Sequence, residues 1–150
     1  ADTGAWLCLA RDCGASHYCW VNEQRLLVTM RGEGGFGYYL IDTNTSAVTL
    51  AWTSSDGHPS VLGTVGIVYD TYPDRAGYRR LCLREWNHLD ACTELVQVRE
   101  PMLFQGETRC DLHPAPSPSR KLIKIDVAVG HNRSVSVIDL ALELERSDRS

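Results

Sequence analysis

A unit of four short β-type segments, each time introduced by a histidine, occurs three times along this chain. His17, His58 and His113 open the units, so successive units begin 41 and 55 residues apart. Each unit continues through two apolar runs joined by a glycine-containing loop. The first runs are Leu26–Val28, Ile67–Tyr69 and Leu122–Ile125, and the second are Tyr38–Asp42, Leu81–Glu85 and Val135–Asp139. Four strands in roughly 40–50 residues is the size of one β-propeller blade.

A last β-type stretch closes each unit, at Ala47–Trp52, Thr93–Val98 and Ala141–Glu145. Val135–Ile138 and Leu142–Glu145 alternate with the period of two that is typical of strands, and no sustained helical stripe occurs. The sequence therefore predicts an all-β chain with more than about 35% strand and negligible helix, well above the usual strand share. Residues 1–150 form one partial propeller domain, with four-stranded antiparallel blades at about 16–55, 56–104 and 109–146.

A β-sandwich is the alternative, because its strands also recur every 8–12 residues or so. The return of histidine at the same point of each unit favours the propeller. Three blades do not close a ring, since propellers have about 4–8. Trp6–Ala10 reads as the outer strand of a preceding blade. We therefore expect either self-association into a homo-oligomer or missing blades on another chain.

Charge and hydropathy exclude several classes of partner. The net charge is −4, and the longest basic runs are the pairs Arg79-Arg80 and Arg120-Lys121. We expect these pairs to be solvated residues at strand edges, because a nucleic-acid site needs a clustered basic face. No apolar stretch is long enough to span a bilayer, and no signal peptide is visible. This predicts a cytoplasmic protein, with a periplasmic or secreted one, after signal removal, as the alternative. The six cysteines form no CxxC pair and are predicted to be buried free thiols, with a Cys82–Cys92 bridge as the main alternative.

Several short segments carry a resemblance to a known family. Asp56–Ser60, Asp70–Arg75, Gly106–Pro114 and Val137–Leu140 resemble the C-terminal half of oligogalacturonate-lyase-like propellers, within the wider TolB-like, WD40-like bacterial group. The resemblance implies a lyase acting on acidic oligosaccharides. It also implies a divalent metal, manganese or zinc, held by histidines near the propeller axis.

The three histidines are the candidate metal ligands. Histidines at the innermost strands of successive blades would face one another at one end of the channel, with their rings within about 10 Å. Three nitrogen ligands with an open position make a catalytic type of metal site. The alternative is that His17, His58 and His113 each hydrogen-bond a neighbouring blade and are structural.

Polar residues near these histidines suggest a ligand site. In an enzyme, Arg109 would neutralise a substrate carboxylate, and either Tyr72 or a histidine not engaged with metal would serve as the base. The candidate substrate-binding residues are Asp56, Asp70, Asp74, Arg75 and Asp111. The loop Asp70–Arg75 has an alternative interpretation as a Pro-Asp turn capped by a surface ion pair. For the whole site, the alternative is a non-catalytic module that binds a glycan or a protein.

Overall fold

The computed structural model describes residues 8–147 apart from Met102 and Gln105. About half of the described residues lie in β-strands, which form three separate antiparallel sheets. The chain divides into two compact units, residues 1–54 and 55–150. The prediction of an all-β, antiparallel chain is confirmed, and the arrangement of the sheets as propeller blades stays a prediction.

The first unit holds one four-stranded meander. Its strands, in both chain and spatial order, are β1 (Tyr18–Trp20), β2 (Arg25–Gly32), β3 (Gly35–Asp42) and β4 (Val48–Thr53). The side chains that alternate inward from β2 and β3 form its apolar core, because successive residues of a strand point to opposite faces. The core consists of Val28, Met30, Tyr39 and Ile41.

The second unit holds the other two sheets. One is a meander of β5 (Pro59–Leu62), β6 (Gly66–Asp70), β7 (Tyr78–Glu85) and β8 (Thr93–Arg99). The other contains β9 (Ala115–Pro116), β10 (Leu122–Val129) and β11 (Asn132–Asp139) in the order β11-β10-β9. One apolar core joins the two sheets, and it includes Leu62, Val68, Leu81, Leu83, Leu112, Ile123 and Ile125. A short 3-10 helix, Gly106–Thr108, lies in the connection between them.

The predicted last strand at Ala141–Glu145 is wrong, as is the expectation of negligible helix. These residues belong to the helix α1 (Leu140–Ser147), so the third sheet has three strands. Asp139 caps the helix by accepting the Ala141 amide at 3.0 Å, and Leu, Ala and Glu are strong helix formers. Leu140 and Leu144, four residues apart, pack on the core, whereas Leu142 is exposed. The alternating leucines therefore belong to a helix, in which Leu140 and Leu144 form an i, i+4 pair that faces the core.

The remaining predictions concern the N-terminal strand, the cysteines and membrane-spanning segments. Trp6 and Leu7 lie outside the described residues, and Cys8–Ala10 belongs to no strand. All six cysteines are free thiols, but the prediction that they are buried is wrong for Cys8 and Cys92, which are exposed. None of the helices in the described part of the chain is long and apolar enough to cross a membrane.

Candidate metal centre

Asp70, the last residue of β6, connects two of the repeated histidines. Its carboxylate is completely buried, and Oδ1 accepts hydrogen bonds from the backbone N of His58 at 2.6 Å and from Nδ1 of the same residue at 3.0 Å. Oδ2 accepts from the backbone N of His113 at 3.0 Å. A buried carboxylate requires such charge-assisted donors to offset its lost hydration. One side chain thus fixes the chain at the starts of two neighbouring sheets.

The same register appears in each sheet, because the residue 12 or 13 positions after the histidine lies beside it. In the first unit Thr29 Oγ1 accepts from the backbone N of His17 at 2.9 Å. In the third sheet Asp126 Oδ2 lies 3.6 Å from Nδ1 of His113. The histidine-led repeat read from the sequence is therefore a repeated structural arrangement of first and second strands.

His58 and His113 come together in the second unit, with ring centroids 4.1 Å apart. Nδ1 of His113 lies 3.1 Å from the carbonyl oxygen of Asp111, and a carbonyl only accepts, so Nδ1 carries the proton. Nδ1 of His58 likewise donates to the Asp70 carboxylate. In each neutral ring, Nε2 is then the nitrogen with the lone pair, which is the form that ligates metals. His113 has a φ of 42°, an uncommon left-handed conformation for a residue with a side chain.

Asp111 completes a group of three ligands. One donor atom each from His58, Asp111 and His113 lie within 4.8 Å of one another. Two imidazoles and a carboxylate suit zinc, manganese and iron. The hydrogen bond from His58 to Asp70 is the second contact that metal-bound histidines usually make, and it orients the ring.

Two arginines hold Asp111 in its ionised form. Arg79 Nη1 donates to Asp111 Oδ1, and Arg109 Nε lies 2.8 and 2.9 Å from the two oxygens. Burial opposes ionisation of Asp111, but the hydrogen bond from Arg109 and the charge of Arg79 outweigh it and hold the pKa of the carboxyl below its usual value. These three contacts use three of about four acceptor positions of a carboxylate. One position remains for a cation.

Arg79 itself is 1% exposed, so its interpretation as a solvated strand edge is wrong. Besides Asp111 it pairs with Glu100, whose Oε2 lies 2.5 Å from Arg79 Nη2. Arg80, the next residue of β7, points outward to Asp74 and Glu94. The period of two along β7 places Arg79 on the same face as the buried Leu81 and Leu83. This alternation is the feature of the sequence that could have predicted the burial of Arg79.

Tyr72 and Arg109 border the ligand group. The guanidinium carbon of Arg109 lies 4.2 Å from the centre of the Tyr72 ring, a cation–π contact, and that ring lies 6.1 Å from the ring of His58. Burial, together with the negative charge of Asp56, raises the pKa of Tyr72. Tyr72 therefore remains a protonated phenol at neutral pH.

A cavity of about 340 Å³ opens beside the group. Arg109, Asp111, His113, Asp126 and Arg133 contribute its charged or ionisable walls. Arg133 is anchored there because its Nη2 donates to the carbonyls of Thr108 and Arg109 at 2.6 and 3.0 Å. The cavity suits a charged ligand that also contacts Asp111 and His113.

The remaining predicted residues lie elsewhere or make local contacts. Asp74 Oδ1 accepts from the amides of Ala76 and Tyr78 at 2.9 and 3.0 Å, and Oδ2 pairs with Arg80, as in the alternative capped turn. Asp74 and Arg75 line a separate cavity. Asp56 Oδ1 accepts the amide of Gly57 at 3.0 Å.

His17 belongs to the first unit, and its convergence with the other two histidines stays a prediction. Sequence reasoning proposed two of the three grouped ligands as metal-binding and placed Asp111 with the substrate. The evidence that this group suits a metal ion is the chemistry of its three donor side chains.

No protein-family model matches the chain, and no curated protein shows a significant similarity to it, so the relation to lyase-like propellers stays a resemblance of short segments.

Proposed function

We propose that this protein binds a divalent cation, manganese or zinc, through His58, Asp111 and His113. The observation that supports it is the set of three donor atoms within 4.8 Å, with both imidazoles oriented by hydrogen bonds at Nδ1. Burial alone would lower the pKa of His58, but the hydrogen bond and charge of Asp70 outweigh it and raise that pKa. The same negative surroundings that stabilise a proton on His58 also stabilise a metal ion there.

An anionic ligand is the partner that best suits the surroundings. Two neutral imidazoles and one carboxylate leave a divalent ion with a net positive charge, and Arg109 and Arg133 add two more on the cavity wall. Asp126 opposes them only in part, because Lys124 Nζ pairs with it at 2.6 Å. Carboxylates are recognised well by arginine and by metal together. We therefore propose an acidic oligosaccharide as the ligand class, in line with the sequence resemblance.

The enzymatic form of the proposal is β-elimination at a uronate. A bound cation supplies neutralisation of the substrate carboxylate, which acidifies the hydrogen α to it. Arg109 pairs with the same carboxylate. Tyr72, held as a phenol, suits donation of a proton to the leaving glycosidic oxygen better than removal of the α hydrogen, which needs a separate base.

A non-catalytic glycan-binding function is the second candidate. The observation in its favour is that His113, the histidine of the cavity wall, is assigned to the cation together with its neighbour His58. A base with a near-neutral pKa then has to come from a histidine outside the ligand group. Binding of the oligosaccharide without turnover is the expected outcome of this alternative.

Metal binding is the first test. The chain is stripped with a chelator, and titration calorimetry with manganese or zinc is expected to give one equivalent for the unaltered protein. His113→Gln should abolish stoichiometric binding, because it removes one of three ligands. His88→Gln, in the loop after β7, is the matched control and should bind as before. Equal binding by both variants, or no binding by the unaltered chain, contradicts the proposal.

Turnover is tested separately with polygalacturonate oligomers and the metal-loaded chain. β-Elimination forms a carbon–carbon double bond conjugated to the carboxylate, so its absorbance reports the reaction directly. Appearance of that absorbance, and its loss in Arg109→Gln, supports the lyase. Oligosaccharide binding without it supports the glycan-binding module.

A further inference from the structure

Cys82 and Cys92 lie close together in the second sheet of the chain. Cys82 lies in the middle of β7 and is buried, whereas Cys92 directly precedes β8 and is exposed. The ladder between β7 and β8 shifts register between Leu81 and Cys82. Tyr69 of β6 is the cross-strand partner of Cys82, and its hydroxyl lies 3.4 Å from the sulfur of Cys92, so both cysteines lie beside one tyrosine.

A directed chain of donors leads to the sulfur of Cys92. Arg84 Nε donates to the hydroxyl of Tyr69 at 3.2 Å, which leaves the Tyr69 hydrogen for the Cys92 sulfur, 3.4 Å away. Arg84 Nη1 also donates to the carbonyls of Leu89 and Ala91 at 2.6 and 3.2 Å, so the loop that carries Cys92 is held against the arginine. Donors and a nearby cation stabilise a thiolate in preference to a thiol.

The ionisation of the pair follows from these contacts. The hydrogen bond from Cys82 lowers the pKa of Cys92 to about 6; burial opposes this, Tyr69 and the charge of Arg84 reinforce it, and the carboxylate of Glu94 acts in the opposite direction. The hydrogen bond with Cys92 and burial raise the pKa of Cys82. One member of the pair is thus a nucleophile and the other a proton carrier.

We infer that Cys92 and Cys82 form an oxidation-sensitive dithiol, in which Cys92 reacts with a peroxide and Cys82 resolves the product as a disulfide. The Cys92 thiolate attacks one peroxide oxygen and the O–O bond breaks. With one proton taken up, the products are a sulfenic acid on Cys92 and water or an alcohol. The Cys82 sulfur then displaces the sulfenic oxygen, which leaves as water with the Cys82 proton. The protein loses two electrons and the Cys82 proton, a second proton comes from solvent, and the peroxide is reduced to two molecules of water, or to water and an alcohol. Neither step uses the proposed metal centre.

The first test measures the pH dependence of alkylation by iodoacetamide, resolved by peptide mass spectrometry. Cys8, an exposed thiol of the first unit, provides the internal comparison. A thiol with the ordinary pKa of about 8.5 has about 0.1% thiolate at pH 5.5, against about a quarter for a pKa near 6. The lower basicity of such a thiolate reduces its reactivity by about tenfold. Cys92 should therefore react about 20-fold faster than an ordinary exposed thiol at pH 5.5, with a midpoint near pH 6.

Tyr69→Phe keeps the ring and removes the hydroxyl donor, so it should move the Cys92 midpoint upward. Tyr39→Phe, a buried tyrosine of the first unit, is the control and should leave it unchanged. A Cys92 midpoint near 8.5 in the unaltered chain overturns the proposal.

The second test treats the unaltered chain with one equivalent of hydrogen peroxide. We expect a loss of two hydrogens in the intact mass, a Cys82–Cys92 linked peptide, and reversal by dithiothreitol. In Cys82→Ser, Cys92 should instead accumulate as sulfenic acid that reacts with dimedone. Cys8→Ser should form the bridge as the unaltered chain does. Recovery of both thiols, or linkage of Cys92 to other cysteines at equal yield, overturns the inference.

Discussion

Replacement of Arg79 by methionine tests the charge cluster that supports the candidate metal centre. The guanidinium is 1% exposed and bridges Asp111 and Glu100, whose side chains are 9% and 7% exposed. Methionine retains the length of the side chain but leaves two carboxylates without their shared cation. Removing one partner of a buried ion pair destabilises a fold by about 3–5 kcal/mol, and two lost charged hydrogen bonds at about 1.5–3 kcal/mol each give a similar figure.

The expected loss is large compared with the stability of a typical domain, about 5–15 kcal/mol. For a chain of this size it corresponds to a fall in Tm of roughly 6–20 °C, at about 2–4 °C per kcal/mol. Urea denaturation followed by tryptophan fluorescence, with a thermal melt by circular dichroism, measures it. Arg80→Met is the matched control, because Arg80 is the partly exposed neighbour whose pairs with Asp74 and Glu94 are screened by solvent and contribute little to stability.

The double variant Arg79→Met with Asp111→Asn distinguishes the loss of the Arg79–Asp111 hydrogen bond from the cost of leaving the Asp111 charge without Arg79. It should recover part of the loss, since Asp111, one of the two carboxylates that lose Arg79, is then neutral. If Arg79→Met and Arg80→Met unfold within 1 kcal/mol of each other, the cluster is not a buried ionic core. The pre-organisation of Asp111 argued above is then refuted.

Three other outcomes are expected. Asp70→Asn should weaken metal affinity by about 10–100-fold in the calorimetric titration, because it removes the anionic acceptor that orients His58; an unchanged affinity would show that the ring does not need that contact. The Asp111 carboxyl has a folded-state pKa below its unfolded value, so its contribution to stability is present above about pH 4 and is lost as the pH falls through the folded pKa. The stability difference between the unaltered chain and Asp111→Asn should therefore shrink as the pH falls below about 4 in urea titrations, and a constant difference would contradict this. The edge strand β11 exposes Val135 and Val137, so we expect self-association in sedimentation velocity, and a single monomer species at micromolar concentration would contradict it.

The repeat was readable from sequence because it depends on strand period and on a residue type at a fixed register. Both apolar runs predicted in each of the three units lie within β-strands of the structure. The helix α1 was missed because leucine at every second position satisfies a strand pattern and an i, i+4 pair alike, and only the core contact of Leu144 distinguishes them. Arg79 was missed for the opposite reason. A buried arginine is stable only with partners, and Asp111 and Glu100 lie 32 and 21 residues away in sequence.

The contacts that form the candidate centre also stabilise the fold. Asp70 accepts hydrogen bonds from the backbone at the starts of two sheets and also orients an imidazole. Arg79, a residue of the second sheet, neutralises Asp111. The ligand positions are therefore set by folding and not by the cation, unlike small zinc domains that unfold without metal. A cation would then add stability only by mass action, about 2.7 kcal/mol at one hundred times its dissociation constant. The metal-free chain should accordingly keep its β-type circular dichroism, with a Tm that rises with metal concentration in the unaltered protein and stays constant in His113→Gln.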